Sequence, residues 1–440
     1  MIDSHTHAPV VHGREPTRSG SRPQPAWLVL VLLLPFWFDS LAFVAYLITR
    51  SRDLYSLILL AFEATAAGGA LLYFKYGWHA LSSAYGPRFL LPAGLYGLAL
   101  GGVLANGSGN QEFVLAALRY LPWLIFCAGC LARHGAGGSI RFPSILSPLA
   151  VALAALALLQ MAVSPWLADA LAEVQRGLMA EGRTNAVLTS IELGKTFASL
   201  TLRNPIELGY VGLFLLCLGC ARAAPRSLMW VGLALVIAGR SNTTLMAALV
   251  VVTVQALLDS GMSGARRTAL AAVGAIVLAA IVWLLPWIYL GAGADWAHLI
   301  ETLGMQRLGL LLALPAVMDD AGFRILVNGL PLSLEPLVED LFAAGLLPEL
   351  FADGGAIAVF DIMWFGMLLV GGLPFVMGGV ALLSLQTRAG GPARRAALLY
   401  ALAALLVSFS SQVLLSRYGL FFLCVLLAAA AVDRSHQQPK

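Results

Sequence analysis

Four arginines and three acids are the residues of this chain best suited to chemistry. Arg240 stands in AGRSNTTL, Arg307 in MQRLGLLLALPAVMDDAG with Arg324 following, and Arg203 directly ahead of Asn204-Pro205. A guanidinium offers a planar fork of N–H donors that matches phosphate oxygens. Arginines beside apolar runs therefore point to an anionic group held at a membrane surface. Arg240 lies between two such runs, where a charge is costly and often functional; the other reading is a loop arginine at the interface. Arg307 and Arg324 are the only Lys or Arg residues of the acidic stretch 291–359. They either balance charge on a solvated face or clamp an anion. Asp361, in VFDIMWFGMLLVGGL, opens an apolar run. It serves the helix dipole, or it takes a proton from a reacting hydroxyl as general base. Glu339 and Asp340, in PLVEDLFAAGLL, are the alternative bases. Asp39, Glu63 and Arg119 fall inside apolar runs. Charges there face a partner or a cavity unless they sit near an interface.

Other chemistries lack their motifs. The chain has no Walker loop, no dinucleotide fingerprint at a strand–helix junction and no H-E-x-x-H, which argues against ATP-driven pumping and zinc hydrolysis. Cys127–Cys130 and Cys217–Cys220 each read C-x-x-C, but both pairs lie in apolar runs, and with Cys424 they are expected as small apolar filling. His5, His7 and His12 belong to a polar, basic N-terminal tail, expected to be solvated and not a cleaved signal peptide.

The elements that must position these residues are membrane helices. Of 440 residues, 60% are hydrophobic and 11% charged, with mean hydropathy +0.84; a soluble domain carries about 25% charged residues. The apolar runs approach the ~20 residues that cross ~30 Å of hydrocarbon. They do not alternate as barrel strands would. The expected fold is all-α, a polytopic bundle of twelve spans at 27–49, 54–74, 89–105, 112–132, 144–163, 204–222, 228–239, 243–258, 269–290, 360–386, 396–415 and 418–432. Residues 1–26 form a disordered basic tail, 27–290 the first nine spans, 291–359 a large external loop folded as a helical cap, 360–432 the last three spans, and 433–440 a short tail. Arginines 133 and 141, 222 and 226, 266 and 267, and 388, 394 and 395 fall in four loops on one side. The positive-inside rule makes that side, and both termini, cytoplasmic. Arg50 and Arg52 are the exceptions, landing outside.

Taken together, these features resemble the O-antigen ligase / Wzy polymerase superfamily of bacterial envelope glycan assembly. That family has about a dozen helices, with cytoplasmic termini and a major periplasmic loop between the ninth and tenth. RNPIELGYVGL (203–213) is similar to its Asn-Pro segment at the sixth helix, and AGRSNTTLMAALV (238–250) to its Ser-Arg turn between helices seven and eight. FDIMWFGMLLVGGL (360–373) is similar to the stretch entering its tenth helix. The chain departs from the pattern in having Ile206 for the second Asn, Gly239 before Arg240, and Asp361 where ligases place histidine. Polymerase-type members often carry Asp there.

The resemblance implies a multi-pass protein of the bacterial inner membrane. Its activity would be transfer of a glycan from a polyprenyl diphosphate to a second glycan's hydroxyl, building exopolysaccharide or O-antigen at the periplasmic face. Membrane lipid, the polyprenyl-diphosphate-linked oligosaccharide and other polysaccharide-assembly proteins are the expected partners, nucleic acid is not, and neither cofactor nor metal is expected. Arg240, Arg307, Arg324 and Arg203 would hold the diphosphate and stabilise it as it leaves. Asp361, Glu339 or Asp340 would take the acceptor's proton. The competing readings are a transporter or lipid-linked glycan flippase, and a non-catalytic scaffold of an envelope assembly complex.

Overall fold

The structure is a computed structural model that describes residues 27–107, 110–134, 142, 145–163, 173–174, 205–239, 241–259, 322, 324–330, 363–385, 391–409 and 411–435. Every regular element among them is helical. Helices α1 (Trp27–Thr49) and α2 (Arg52–Leu72) form an antiparallel pair. Arg50, in the left-handed region (φ 56°), makes the turn, and the Ser51 side chain caps α2 by accepting from the Leu54 amide at 3.2 Å. Helix α3 (Phe74–Tyr85), a 3-10 turn (Gly86–Leu90) and α4 (Leu91–Ala105) run on as one 32-residue apolar stretch. The sequence places a span only at 89–105, because Lys75, His79 and Arg88 interrupt the hydropathy; all three stand on exposed faces. Helices α5 (Gln111–Leu118) and α6 (Tyr120–His134) meet at Arg119.

The second half of the bundle comprises α7 (Leu146–Val163), α8 (Pro205–Cys220), α9 (Ser227–Ala238) and α10 (Asn242–Asp259), then the short α11 (Arg324–Asn328), α12 (Met363–Leu383), α13 (Pro392–Val407) and α14 (Arg417–Ser435). Helices thus occupy the positions of eleven of the twelve predicted spans; 269–290 lies outside the described residues. Five stretches are long and apolar enough to cross a membrane: Val29–Thr49, Arg52–Leu72, Phe74–Ala105, Gln111–His134 and Gly366–Leu383. Helices α7 to α10 are apolar but shorter; the 12 residues of α9 rise only about 18 Å. Outward faces are apolar, with Leu41, Ile48, Leu60 and Leu98 exposed, a surface suited to hydrocarbon rather than water.

Small residues bring the inner helices together. A Cβ on Gly232 of α9 would stand 2.5 Å from the Gly212 carbonyl oxygen of α8, and one on Gly77 of α3 would collide with the Ile125 carbonyl of α6. Association in lipid depends on such close backbone approach. The cysteines are buried: Cys127 and Cys130 in α6, Cys217 and Cys220 in α8, Cys424 in α14.

Two differences from the sequence reading bear on the site. Helix α12 is not one straight span: Gly372 is non-helical (φ 68°, ψ −163°) and Pro374 follows. Residues 324–330 pack into that break between α4 and α12. Leu330 N donates to Leu369 O at 2.7 Å, Asn106 Nδ2 donates to Asn328 O at 3.1 Å, and Ile325 is buried. This piece of the expected external cap is thus docked in the bundle. The remainder of 291–359, apart from Gly322, lies outside the described residues. Helix α13 ends at Val407 rather than 415, and the described residues 408–409 and 411–416 form turns and bends beside α8.

Candidate functional site

One end of the bundle gathers several helix termini. Pro205 opens α8 there, and Gly209, one turn on, approaches Thr244 in the first turn of α10. The Gly239–Ser241 junction between α9 and α10 therefore lies at the same end. The turns at 408–416 connect to both neighbours: the hydroxyls of Tyr210 and Ser411 lie 2.5 Å apart, and Met363 N, opening α12, donates to Ser408 O at 3.1 Å. Arg417 then begins α14.

Below these termini lies a charge network drawn from four parts of the chain. Arg417 Nη1 donates to Asp39 Oδ1 of α1 at 2.6 Å, and Tyr418 OH donates to Asp39 Oδ2 at 2.7 Å. The Arg417 guanidinium lies 5.5 Å from the ring centroid of Phe62, a favourable cation–π placement. Glu63, next along α2, is held more loosely. Its Oε1 is 3.5 Å from Arg119 Nη1 and 3.8 Å from Arg417 Nε. Trp123 of α6 also faces Glu63, but the indole nitrogen, Glu63 Oε1 and Arg417 Nε are all buried without a hydrogen-bond partner. Asp39 and Glu63 sit near the middle of their helices, each about 15 Å from either end at 1.5 Å per residue.

These positions follow from helix spacing. Asp39 shares a face of α1 with buried Ala42 and Phe43, and Glu63 follows the fully buried Phe62 on α2. Arg119 occupies the step between α5 and α6, where the helix is interrupted. The two acids and two arginines match in charge, so the network is neutral as a set. A lone buried charge would cost several kcal/mol; the closed Asp39–Arg417 bond offsets that cost, while Glu63 has only the looser approaches of Arg119 and Arg417.

The opposite end carries a simpler cluster. Arg222 and Arg395 flank Asp259 at 3.6 and 3.5 Å, and Gln255 Nε2 donates to Asp259 Oδ2 at 3.0 Å. It ties the ends of α8, α10 and α13 together. These side chains are substantially exposed, so the pairs add little stability.

Of the seven residues singled out first in the sequence, Arg203, Arg240, Arg307, Glu339, Asp340 and Asp361 lie outside the described residues. Arg324 opens α11, and its side chain likewise lies outside them. The structure brings together the three secondary candidates, Asp39, Glu63 and Arg119. Sequence reasoning missed Arg417 and Tyr418, the residues that join them. The available signal was an arginine at the border of the run 418–432, a polar cation next to a span that needs an acid from elsewhere. Comparison with family models, with characterised proteins and with solved structures finds no match. What this site can do chemically is set by its own residues: a fixed Asp39–Arg417–Tyr418 unit, and beside it a carboxylate whose Oε1 accepts no hydrogen bond.

Proposed function

We propose that this chain is a membrane glycosyltransferase of the polysaccharide polymerase or O-antigen ligase type. In this reading it is a twelve-span protein of the bacterial inner membrane with both termini cytoplasmic. It extends glycans carried on polyprenyl diphosphate at the periplasmic face. One observation carries the reading: the three segments that resemble the family belong to helix termini at one end of the bundle. Those termini are the start of α8 after Arg203, the α9–α10 junction that holds Arg240, and the start of α12 just after Asp361. A reaction between a lipid-borne donor and the hydroxyl of a second glycan needs cations and a base at one level of the membrane. The polyprenyl diphosphate is its own leaving group; arginines stabilise it as the glycosidic bond breaks, and a carboxylate accepts the proton of the attacking hydroxyl.

The test is chemical. Purified protein supplied with polyprenyl-diphosphate-linked repeat units yields glycans of two or more units, and Asp361→Asn lowers that yield by roughly 10²-fold, the scale of lost general-base catalysis. Asn caps a helix nearly as well as Asp, so full polymer yield from the variant removes Asp361 from the mechanism. No extension by the wild-type protein removes the polymerase reading.

A second reading, a transporter or lipid-linked glycan flippase, has one observation in its favour. Helix α12 is interrupted at Gly372 with 324–330 packed into the break, and discontinuous helices form substrate sites in transporters. Movement of labelled lipid-linked oligosaccharide across proteoliposomes, without extension, would select it.

A further inference from the structure

Asp39 and Glu63 are the two carboxylates of the network, and their surroundings differ in kind. Asp39 receives two closed hydrogen bonds, from Arg417 Nη1 at 2.6 Å and Tyr418 OH at 2.7 Å. Glu63 Oε1 receives none: both facing guanidiniums stand off, at 3.5 and 3.8 Å, and the Trp123 indole does not close a bond either. Arg417 is committed to Asp39 and also feels Glu207 of α8. Arg119 approaches Glu63 no closer than 3.5 Å and is itself 38% exposed. The charged groups facing Glu63 are Arg119, between α5 and α6, and Arg417 of α14; Arg417 in turn faces Asp39 of α1, Glu207 of α8 and Tyr418. Three carboxylates thus share one buried arginine, and Glu63 has the poorest claim on it. Its side chain is nevertheless not sealed, being 19% exposed.

We propose that Glu63 is a proton-binding site in the middle of the membrane bundle. It takes up and releases a proton, while Asp39 stays bonded to Arg417 and Tyr418. The inference needs neither glycan polymerisation nor transport, and its test reads neither.

Dicyclohexylcarbodiimide reacts with protonated carboxyls in apolar surroundings. The carboxyl oxygen adds to the central carbon, the carboxyl proton passes to a carbodiimide nitrogen, and the adduct rearranges to a stable N-acylurea that retains the whole reagent mass. The full chain in lipid nanodiscs is treated with this reagent across a pH series, and labelled peptides are quantified by mass spectrometry. At neutral pH Glu63, whose Oε1 accepts no hydrogen bond, should be labelled, and Asp39, closed on Arg417 and Tyr418, should stay unlabelled. Labelling should fall as pH rises, and Arg119→Gln, which removes a facing cation, should carry it to higher pH. As an independent readout, the infrared carbonyl stretch of a protonated carboxyl should be present in the wild type and absent in Glu63→Gln. Either the label or the band supports the site. Absence of both from acid to neutral pH, or equal labelling of Asp39 and Glu63, overturns it.

Discussion

At the scale of residues, the Asp39–Arg417 pair makes a prediction that separates burial from chemistry. Removing one member of a buried pair leaves the other uncompensated and costs about 3–5 kcal/mol, whereas replacing both by apolar groups is often neutral. Arg417→Met and Asp39→Leu should each lower the melting temperature of the purified protein sharply. The double variant should regain most of the loss, with Glu63 then relying on Arg119. If the double variant is as unstable as the singles, the pair is not what holds α1 to α14. The sequence made part of this site legible. Asp39, Glu63 and Arg119 stand out as charges in apolar runs, because lipid leaves few reasons to keep them. Arg417 did not stand out, because a cation at the edge of a span is ordinary. Only the packing of α14 against α1 and α6 turns it inward.

At the scale of elements, glycines decide which helices can approach. Gly212 and Gly232 bring α8 and α9 into backbone contact, so Gly232→Leu should cost more than the 1–3 kcal/mol of ordinary overpacking, read as lost membrane abundance and thermal stability. Gly94 of α4 has nothing near its added Cβ, and Gly94→Ala should be neutral or stabilising by about 0.5–1 kcal/mol. Gly329 makes a third case. Its backbone is left-handed (φ 75°) and an added Cβ would run into the Val370 carbonyl. Gly329→Ala should release 324–330 from the break in α12, detected as faster protease cleavage there with the rest of the bundle intact. Hydropathy found the straight spans, since twenty apolar residues in a row admit few alternatives. It missed α3, whose exposed Lys75 and His79 dilute the window, and it gave no warning that Gly372 would interrupt α12. A glycine in an apolar run is equally compatible with a continuous helix, and the break is visible only because 324–330, distant in sequence, fills it.

At the scale of the whole molecule, charge sorts between the two ends. Lys75, Arg133, Arg222, Arg226, Arg394 and Arg395 stand at one end, with Asp259 and Asp433. Among the described residues, the end with the gathered helix termini has Arg50, Arg52 and Arg417 against Asp53, Glu112, Glu173 and Glu207. The two exceptional arginines are partly accounted for, because Arg50 forms an ion pair with Glu173 at 2.7 Å. Basic residues near span ends are retained in the cytoplasm, so the cationic end should face inward and the α8, α10 and α12 starts outward. Alkaline phosphatase fused after Asn110, in the α4–α5 connection, should be active, and the same reporter after Ser435 should be inactive. The outcome matters beyond topology. The proposed polymerisation at the periplasmic face requires the starts of α8, α10 and α12 to be external, since donor and acceptor glycans meet there. Inverted reporter activities would leave the helices, the Asp39–Arg417 pair and the glycine contacts as they are. They would remove the proposed reaction, because the acceptor glycan would then face the wrong end of the bundle.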